Sequence, residues 1–384
     1  MKILMRPLIA LLIVFFLAST IHITRSFAAD APQSHLPVGS IAHQAEEPIN
    51  DIAYSPDGGL LAVASGSDIW LYDTVTHQEV ARLIGHPGEV SVAFSPNGLI
   101  LATGSWKIGS FERTVRLWDV ASGTLLRTPH TYPSQGVNSV AFSPNGLILA
   151  TAGSSRVDFW DVGTGRHVNE FAFFRGIGSV SFSPDGRMLG VGFLNGVVAL
   201  YDVATGRVRR TFEGHTDAVN SVAFSPNGLI LATGGWDQTV RLYNVTTGEL
   251  RQPLEGHTFD VKHVAFSPDG KVLASAGDQT VRLWSVITGR HLRTLHGHTG
   301  FVNSVSFSPK GKTLASAGSD RKILLWSVGW APADLNRDDT VNIQDLVIVA
   351  GAIGYIGENE ADVNGDGIVD IRDLVIVAGA FGED

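Results

Sequence analysis

The chain has 384 residues and no cysteine, which excludes disulfides, thiolate nucleophiles, thiolate metal sites and lipid attachment through an N-terminal cysteine. Its length and apolar content allow one large or two unequal domains with a sizeable core. The formal net charge of −9 is unevenly placed, because twelve acidic residues face two arginines from Asp334 onward, whereas Ala29–Ala333 carries a net of only −2. That balance offers no basic face, so no nucleic-acid partner is expected.

At the N-terminal end, Lys2 and Arg6 precede an apolar run from Leu8 to Ala18, and Ser26 and Ala28 supply small residues at cleavage positions. This order predicts a secretory signal peptide over 1–28 and a linker over 29–36. The apolar run is short for a bilayer, so no stable membrane span is expected after cleavage; an uncleaved anchor is the other reading. The expected location is secreted or on the extracellular cell surface, after bacterial-type export.

From residue 37 the chain repeats itself. An aromatic residue followed by Ser-Pro, one variable residue and Gly occurs at Tyr54–Gly58, Phe94–Gly98, Phe142–Gly146, Phe182–Gly186, Phe224–Gly228, Phe266–Gly270 and Phe307–Gly311. The prolines are 40, 48, 40, 42, 42 and 41 residues apart. A period near 40 marks a chain stacked from copies of one small unit. The unit around Gly214–Gly248 shows the order most completely. Val219, Val222 and Phe224 lead into a Pro-Asn-Gly turn, and Leu229–Thr233, Thr239–Val245 and Leu250–Leu254 follow as further strands. Four short antiparallel strands per forty residues make one propeller blade, and seven copies predict a mainly β, seven-bladed β-propeller over 37–330.

Gly-His, then Phe-Ser-Pro-Asp-Gly, then Leu-Ala-Ser-Gly and Asp-x-Thr-Val-Arg-Leu-Trp-Asp resembles the WD-repeat pattern. Gly-His stands at Gly85-His86, Gly214-His215, Gly256-His257 and Gly297-His298, and the third-strand aromatic at Tyr72, Trp118, Trp160, Tyr201, Tyr243, Trp284 and Trp326. The resemblance implies structural hydrogen-bond tetrads: His215, Thr233, Asp237, Tyr243; His257, Ser275, Asp278, Trp284; and His298, Ser316, Asp320, Trp326. A catalytic triad is needed once, whereas these sets recur, so they are read as structural and no catalytic residue is assigned. Val38–His43 precedes blade one where other units place a fourth strand, so it is expected to complete blade seven and close the ring.

Function is expected where the pattern breaks. Trp106, Phe111, Tyr132, Phe193, Trp236, Phe259 and Phe301 fall in loops of one rim and are the candidate surface for a protein or peptide partner. A carbohydrate-binding propeller is the alternative, with an extracellular polysaccharide-related enzyme behind it.

The acidic tail holds a second repeat. Asp334, Asn336, Asp338, Asn342 and Asp345 present oxygen side chains at loop positions 1, 3, 5, 9 and 12, and Asp362, Asn364, Asp366, Asp370 and Asp373 do so again; Thr340 and Ile368 offer a backbone carbonyl at position 7. Two Ca2+ sites are expected, the second tighter because it has four carboxylates and Gly367 at position 6. Loop, helix, duplicated, with Asp last, resembles a dockerin, giving a small α-helical dockerin-like calcium-loop domain over 331–384. The resemblance implies a cohesin-like partner, with Ile343, Gln344, Ile371 and Arg372 at the positions that help choose it. Leu346, Val347, Val349, Leu374, Val375 and Val377 are read mostly as the tail's internal core. The functional expectation is a secreted, non-catalytic interaction scaffold tethered by its calcium-dependent tail.

Overall fold

The computed structural model describes residues 37, 39–42, 47–86, 88–106, 115–129, 136–251, 253–328, 343–353, 361, 363, 368–369 and 371–379. Two compact units emerge, one over Ser34–Gly329 and one containing Trp330–Asp384. The first is a propeller of seven antiparallel sheets, each a meander in chain order apart from the last. Blade one is built from Ile49–Tyr54, Leu60–Ser65, Asp68–Asp73 and Glu79–Leu83; blade three from Val137–Phe142, Ile148–Gly153, Arg156–Asp161 and His167–Ala172.

The repeated turn explains why each blade reverses where it does. In all seven copies the Gly N–H donates to the Ser carbonyl three residues back at 2.8 Å, and the Gly adopts φ between 69° and 76°. Proline presets the second turn position, and only glycine takes that left-handed conformation without strain. The turns also touch around the ring. A Cβ on Gly98 would meet Pro56 Cδ at 3.5 Å, and one on Gly58 would meet Pro309 Cδ at 3.2 Å, so each turn rests on the proline of the preceding blade.

Polar side chains of the innermost strands stitch neighbouring blades. Asn138, Asn220 and Asn303 donate through Nδ2 to the carbonyls of Ile177, Val261 and Ile49, at 2.8, 3.0 and 2.8 Å. Ser139, Ser221 and Ser304 accept from the N–H groups of Val180, Val264 and Ile52 at 3.1–3.2 Å. These bonds account for the recurring Val-Asn-Ser-Val, which reads from sequence only as a strand. Between the stitches, buried Val, Leu, Ile and aromatic residues of facing sheets form the core.

Blade seven ends on strands from both parts of the chain. Gly39–Ile41 pairs with Ile323–Ser327 in the register Gly39↔Leu325, Ser40↔Leu324 and Ile41↔Ile323. Ile41 is buried against Ala315, Ala317 and Leu325 together with blade-one residues Ile49 and Trp70. The expected closure is therefore present. The expected fourth strand of blade five is not continuous: among the described residues, Leu250–Leu254 makes the isolated bridges Val240↔Leu254 and Tyr243↔Leu250, and the Arg251 N–H donates to the Leu242 carbonyl, beside a three-stranded sheet. Pro253 lies inside that stretch and has no N–H to donate to a ladder.

The C-terminal unit contains helix α1 (Ile343–Ala352) and helix α2 (Ile371–Gly379). Val349, Ala361, Val369 and Val377 are buried together, with Ile348, Ala352, Val363 and Leu374 partly buried around them. Val347 departs from the expected core: it faces outward, 58% exposed, on the side of α1 away from Val349. Leu346 and Val375 side chains lie outside the described residues.

Deleting residues 36–43 removes the closing strand and should lower the propeller's melting temperature by about 10 °C or more, as a loss of several kcal/mol does in a domain of this size. Thermal unfolding of the deletion variant checks this, and an unchanged midpoint would contradict it.

Candidate functional site

The histidine sets occupy the interiors of single blades. His215 Nε2 lies 2.7 Å from Thr233 Oγ1, and its Nδ1 lies 2.9 Å from Asp237, which also accepts from the Thr216 N–H and the Thr239 hydroxyl. His298 repeats the pattern with Ser316 at 2.7 Å and Asp320 at 3.0 Å, and Trp326 Nε1 donates to Ser316 at 2.7 Å. In blade six His257 and Trp284 converge on Ser275 Oγ at 2.7 and 2.8 Å, while Asp278 stands 3.4 Å from His257 Nδ1. Tyr243 instead donates to the Glu213 carbonyl at 3.2 Å. Blade two has a histidine set that sequence reasoning left out: His86 Nε2 is 2.6 Å from Thr103 Oγ1, which also accepts from Trp118 Nε1 at 2.9 Å. Among the described residues, blade three keeps the Trp160 to Thr151 bond at 2.9 Å.

Burial decides what these groups do. Burial pushes the Asp237 carboxyl up, but hydrogen bonds from His215, Thr239 and the Thr216 N–H hold it well below the ordinary carboxylate range. For His86, burial dominates, aided by the nearby Arg116, and the ring falls to about 3. Histidines fixed in this way, each committed to a hydroxyl inside its own blade, hold loops to strands.

The predicted rim is only partly assembled. A four-stranded meander places the first-to-second and third-to-fourth turns on one face, and the other connections on the opposite one. Trp236, Phe259 and Phe301 share that opposite face and are 47%, 56% and 43% exposed. Phe259 and Phe301 meet edge to face at 5.3 Å. Trp236 Nε1 donates to Asn220 Oδ1 at 2.7 Å, and Lys262 Nζ sits 5.8 Å from its ring while pairing with Asp260 at 3.0 Å. Trp236, Lys262 and Leu194 border the central channel, which encloses about 1000 Å³.

Phe193 must be removed from the surface set. It is 2% exposed, held edge-on by Phe173 at 5.1 Å with the Arg175 guanidinium 5.5 Å from its ring. Blade four lacks the polar loop of its neighbours, and Phe193 fills that space. Phe174 takes the exposed role in this region instead, standing fully in solvent. The Trp106 side chain, Phe111 and Tyr132 lie outside the described residues.

Most of the calcium-loop residues also lie outside them: Asp334, Asn336, Asp338, Thr340, Asn342, Asp362, Asn364, Asp366, Asp370 and the Asp345 side chain. Asp373 is described and fully buried, in the first turn of α2. Ile368 and Ile371 are exposed, and the side chains of Ile343, Gln344 and Arg372 are outside the described set.

The sign of the His86 shift fixes a pH response. Its folded value lies below the ordinary value near 6.5, so the neutral ring favours the fold at neutral pH. As pH falls below about 6.5, the unfolded chain takes up a proton that the folded chain refuses, and stability is lost toward pH 3. His86→Gln should therefore flatten the pH dependence of the unfolding free energy between pH 6 and 4 by about 1.4 kcal/mol per pH unit. Denaturant titrations of both proteins across that range measure it, and parallel slopes would contradict it.

Comparison with known proteins agrees with this geometry. Residues 48–277, more than half of the chain, match the family model described as the IFT122 first beta-propeller. Residues 289–327 match the WD domain, G-beta repeat, and residues 332–381 the dockerin type I domain. Among curated relatives, a periodic tryptophan protein 2 homolog of Schizosaccharomyces pombe is 28% identical over 121 residues, 31% of this chain and 14% of that protein. An uncharacterized WD repeat-containing protein of Synechocystis sp. is 34% identical over 92 residues, 23% of this chain and 25% of that protein. A COMPASS component of Saccharomyces cerevisiae is 28% identical over 178 residues, 43% of this chain and 55% of that protein. The matched stretches thus span a quarter or less of the first relatives' own lengths. The chain belongs to the family of the IFT122 first beta-propeller, a WD-repeat propeller, and carries a dockerin type I domain behind it.

Proposed function

We propose that the chain is a secreted, non-catalytic interaction scaffold whose propeller presents one rim to a protein or peptide partner and whose C-terminal module tethers it through calcium. The observation that carries the reading is the exposed aromatic group formed by Trp236, Phe259 and Phe301, with Lys262 beside it at the mouth of the channel. Aromatic side chains on rigid loops provide large contact area at small entropic cost and dominate binding energy at interfaces. The recurrent histidine sets and the innermost Asn and Ser residues are already committed to holding the ring, which favours a scaffold over an enzyme. Export follows from the leader-like segment over 1–28, with a linker to 36, the propeller over 37–330 and the module over 331–384. The company that dockerin domains keep supports an extracellular setting and a cohesin-like partner for Ile343, Gln344, Ile371 and Arg372.

The donor set of the tail fits calcium. Asp373 is buried at the start of α2, and position 12 is where such a loop closes on its ion. Asp334, Asn336, Asp338, Thr340, Asn342 and Asp345 would hold one ion, and Asp362, Asn364, Asp366, Ile368, Asp370 and Asp373 the other. Bound calcium neutralises clustered carboxylates, which the small core of Val349, Ala361, Val369 and Val377 cannot offset alone.

Two outcomes check the reading. In chelator the tail of the full chain should become protease-sensitive while the propeller stays resistant; equal resistance of the tail with and without calcium would contradict it. With the calcium-loaded chain as bait in a secreted protein fraction, combining Trp236→Ala, Phe259→Ala and Phe301→Ala should weaken capture of the propeller's partner at least about tenfold. Cohesin binding by the same variant should be unchanged. Undiminished capture would place the partner surface elsewhere.

A further inference from the structure

Outside the rim and the tail, one cluster of metal-ligating side chains stands out by breaking the repeat. In blade three Asp158 lies on the third strand, and His167 and Glu170 lie on the outermost one. One ligand atom from each falls within 4.8 Å of the others. His167 Nε2 is 3.0 Å from Asp158 Oδ1 and 4.0 Å from Glu170 Oε2. We propose that Asp158, His167 and Glu170 form a site for a first-row divalent cation of the zinc type on the outer edge of blade three.

The backbone prepares this arrangement. Asp158 pairs with Glu170 and Trp160 with His167, with a register shift between Phe159 and Trp160 that leaves an extra residue in the outer strand. In a regular strand, residues three apart point to opposite faces; the bulge brings His167 and Glu170 to the same side as Asp158. Trp160 packs edge-on against the His167 ring at 5.0 Å and fixes its orientation.

The other blades act as internal comparisons. The position of Asp158, opposite the tetrad hydroxyl residue or its equivalent, is Arg116 in blade two, Arg241 in blade five and Arg282 in blade six; it is Trp70, Ala199 and Leu324 in the rest. Blade six even keeps the histidine: His291 meets Trp284 edge to face at 5.3 Å, but there it lies 2.8 Å from the Thr294 hydroxyl, with Arg282 opposite Thr294. Among the described residues, only blade three places two carboxylates around the histidine ring. Folding alone does not ask for this, since like charges directly opposite across a strand pair are destabilising. Asp158 is also only 5% exposed, with His167 as its hydrogen-bond partner at 3.0 Å. Arg156 pairs with Glu170 at 2.8 Å, while Asp158 and His167 face each other at 3.0 Å.

The donor chemistry narrows the ion. An imidazole nitrogen with two carboxylates suits zinc and its neighbours better than calcium or magnesium, which prefer oxygen throughout. Bonds of about 2.0–2.1 Å at tetrahedral angles set ligand atoms about 3.3 Å apart, between the observed 3.0 and 4.0 Å. Three protein ligands leave a fourth position to water, and the strand positions keep all three rigid.

The test uses the full chain, stripped of metal and then saturated with calcium so that the tail's carboxylates are occupied, and titrated with Zn2+. One zinc per chain should bind at micromolar concentration and raise the propeller's melting temperature. Asp158→Arg restores the residue that blades two, five and six carry, so it should leave the fold intact while weakening zinc binding at least tenfold. His167→Ala should do the same, and Glu170→Gln, at an exposed position, serves if the buried change disturbs the blade. Binding only at millimolar zinc, or a melting shift that survives in His167→Ala and Glu170→Gln, would overturn the site and leave His167 as a hydrogen-bond partner of Asp158.

Discussion

A ring of antiparallel sheets is held closed when its last blade takes strands from both ends of the ring, and here that condition rests on three residue pairs at the outer edge of blade seven. Gly39, Ser40 and Ile41 pair with Leu325, Leu324 and Ile323, so the last sheet takes strands from both sides of the propeller segment. Ile41 then joins a core shared by blades seven and one, and Ser304 and Asn303 add hydrogen bonds to Ile52 and Ile49 across the same seam. Without that seam the remaining blades would present an unpaired hydrophobic sheet face at each end. Every other regularity in the propeller presupposes the closed ring, including the proline-on-glycine contacts that run from Gly58 and Pro309 all the way round.

Closure also determines which polar residues are free to act. Asn138, Asn220 and Asn303 face the channel, where a catalytic residue would be sought, yet each is spent on a neighbouring blade's carbonyl. The histidines are likewise tied to hydroxyls inside their blades. What remains uncommitted lies at departures from the repeat. Phe174 and Leu194 replace the polar loops of blade four, Trp236 and the Phe259–Phe301 pair project from the same face, and blade three exchanges an arginine for Asp158. Packing accounts for the repeats, and the proposed partner surface and metal site rest on the exceptions.

The architecture was largely legible in the sequence because the turn, the Gly-His pair and the third-strand aromatic recur at fixed spacing and have few structural uses. The closing strand was legible from a missing element. The errors have local causes. Pro253 breaks the outer ladder of blade five, a single residue overriding a strand-like pattern. The position of Phe193 in a loop suggests the rim, but burial depends on what the neighbouring loop provides, and Phe173 and Arg175 cover it. The Asp158–His167–Glu170 cluster is not legible in the sequence, because His167 and Glu170 converge only through a bulge, which side-chain alternation does not reveal. In the tail, the loop spacing was clear, whereas the outward turn of Val347 depends on how α1 packs against its partner helix.

The central claim is that seven blades hold as one closed ring, with the Gly39–Ile41 strand as an integral part. Amide hydrogen exchange of the intact chain tests it most directly, because it reads the stability of each strand separately. The account predicts that amides of Gly39–Ile41 exchange as slowly as those of Ile323–Ser327 and of the inner strands of blade one. Fast exchange confined to Gly39–Ile41, with the rest of the propeller protected, would contradict it.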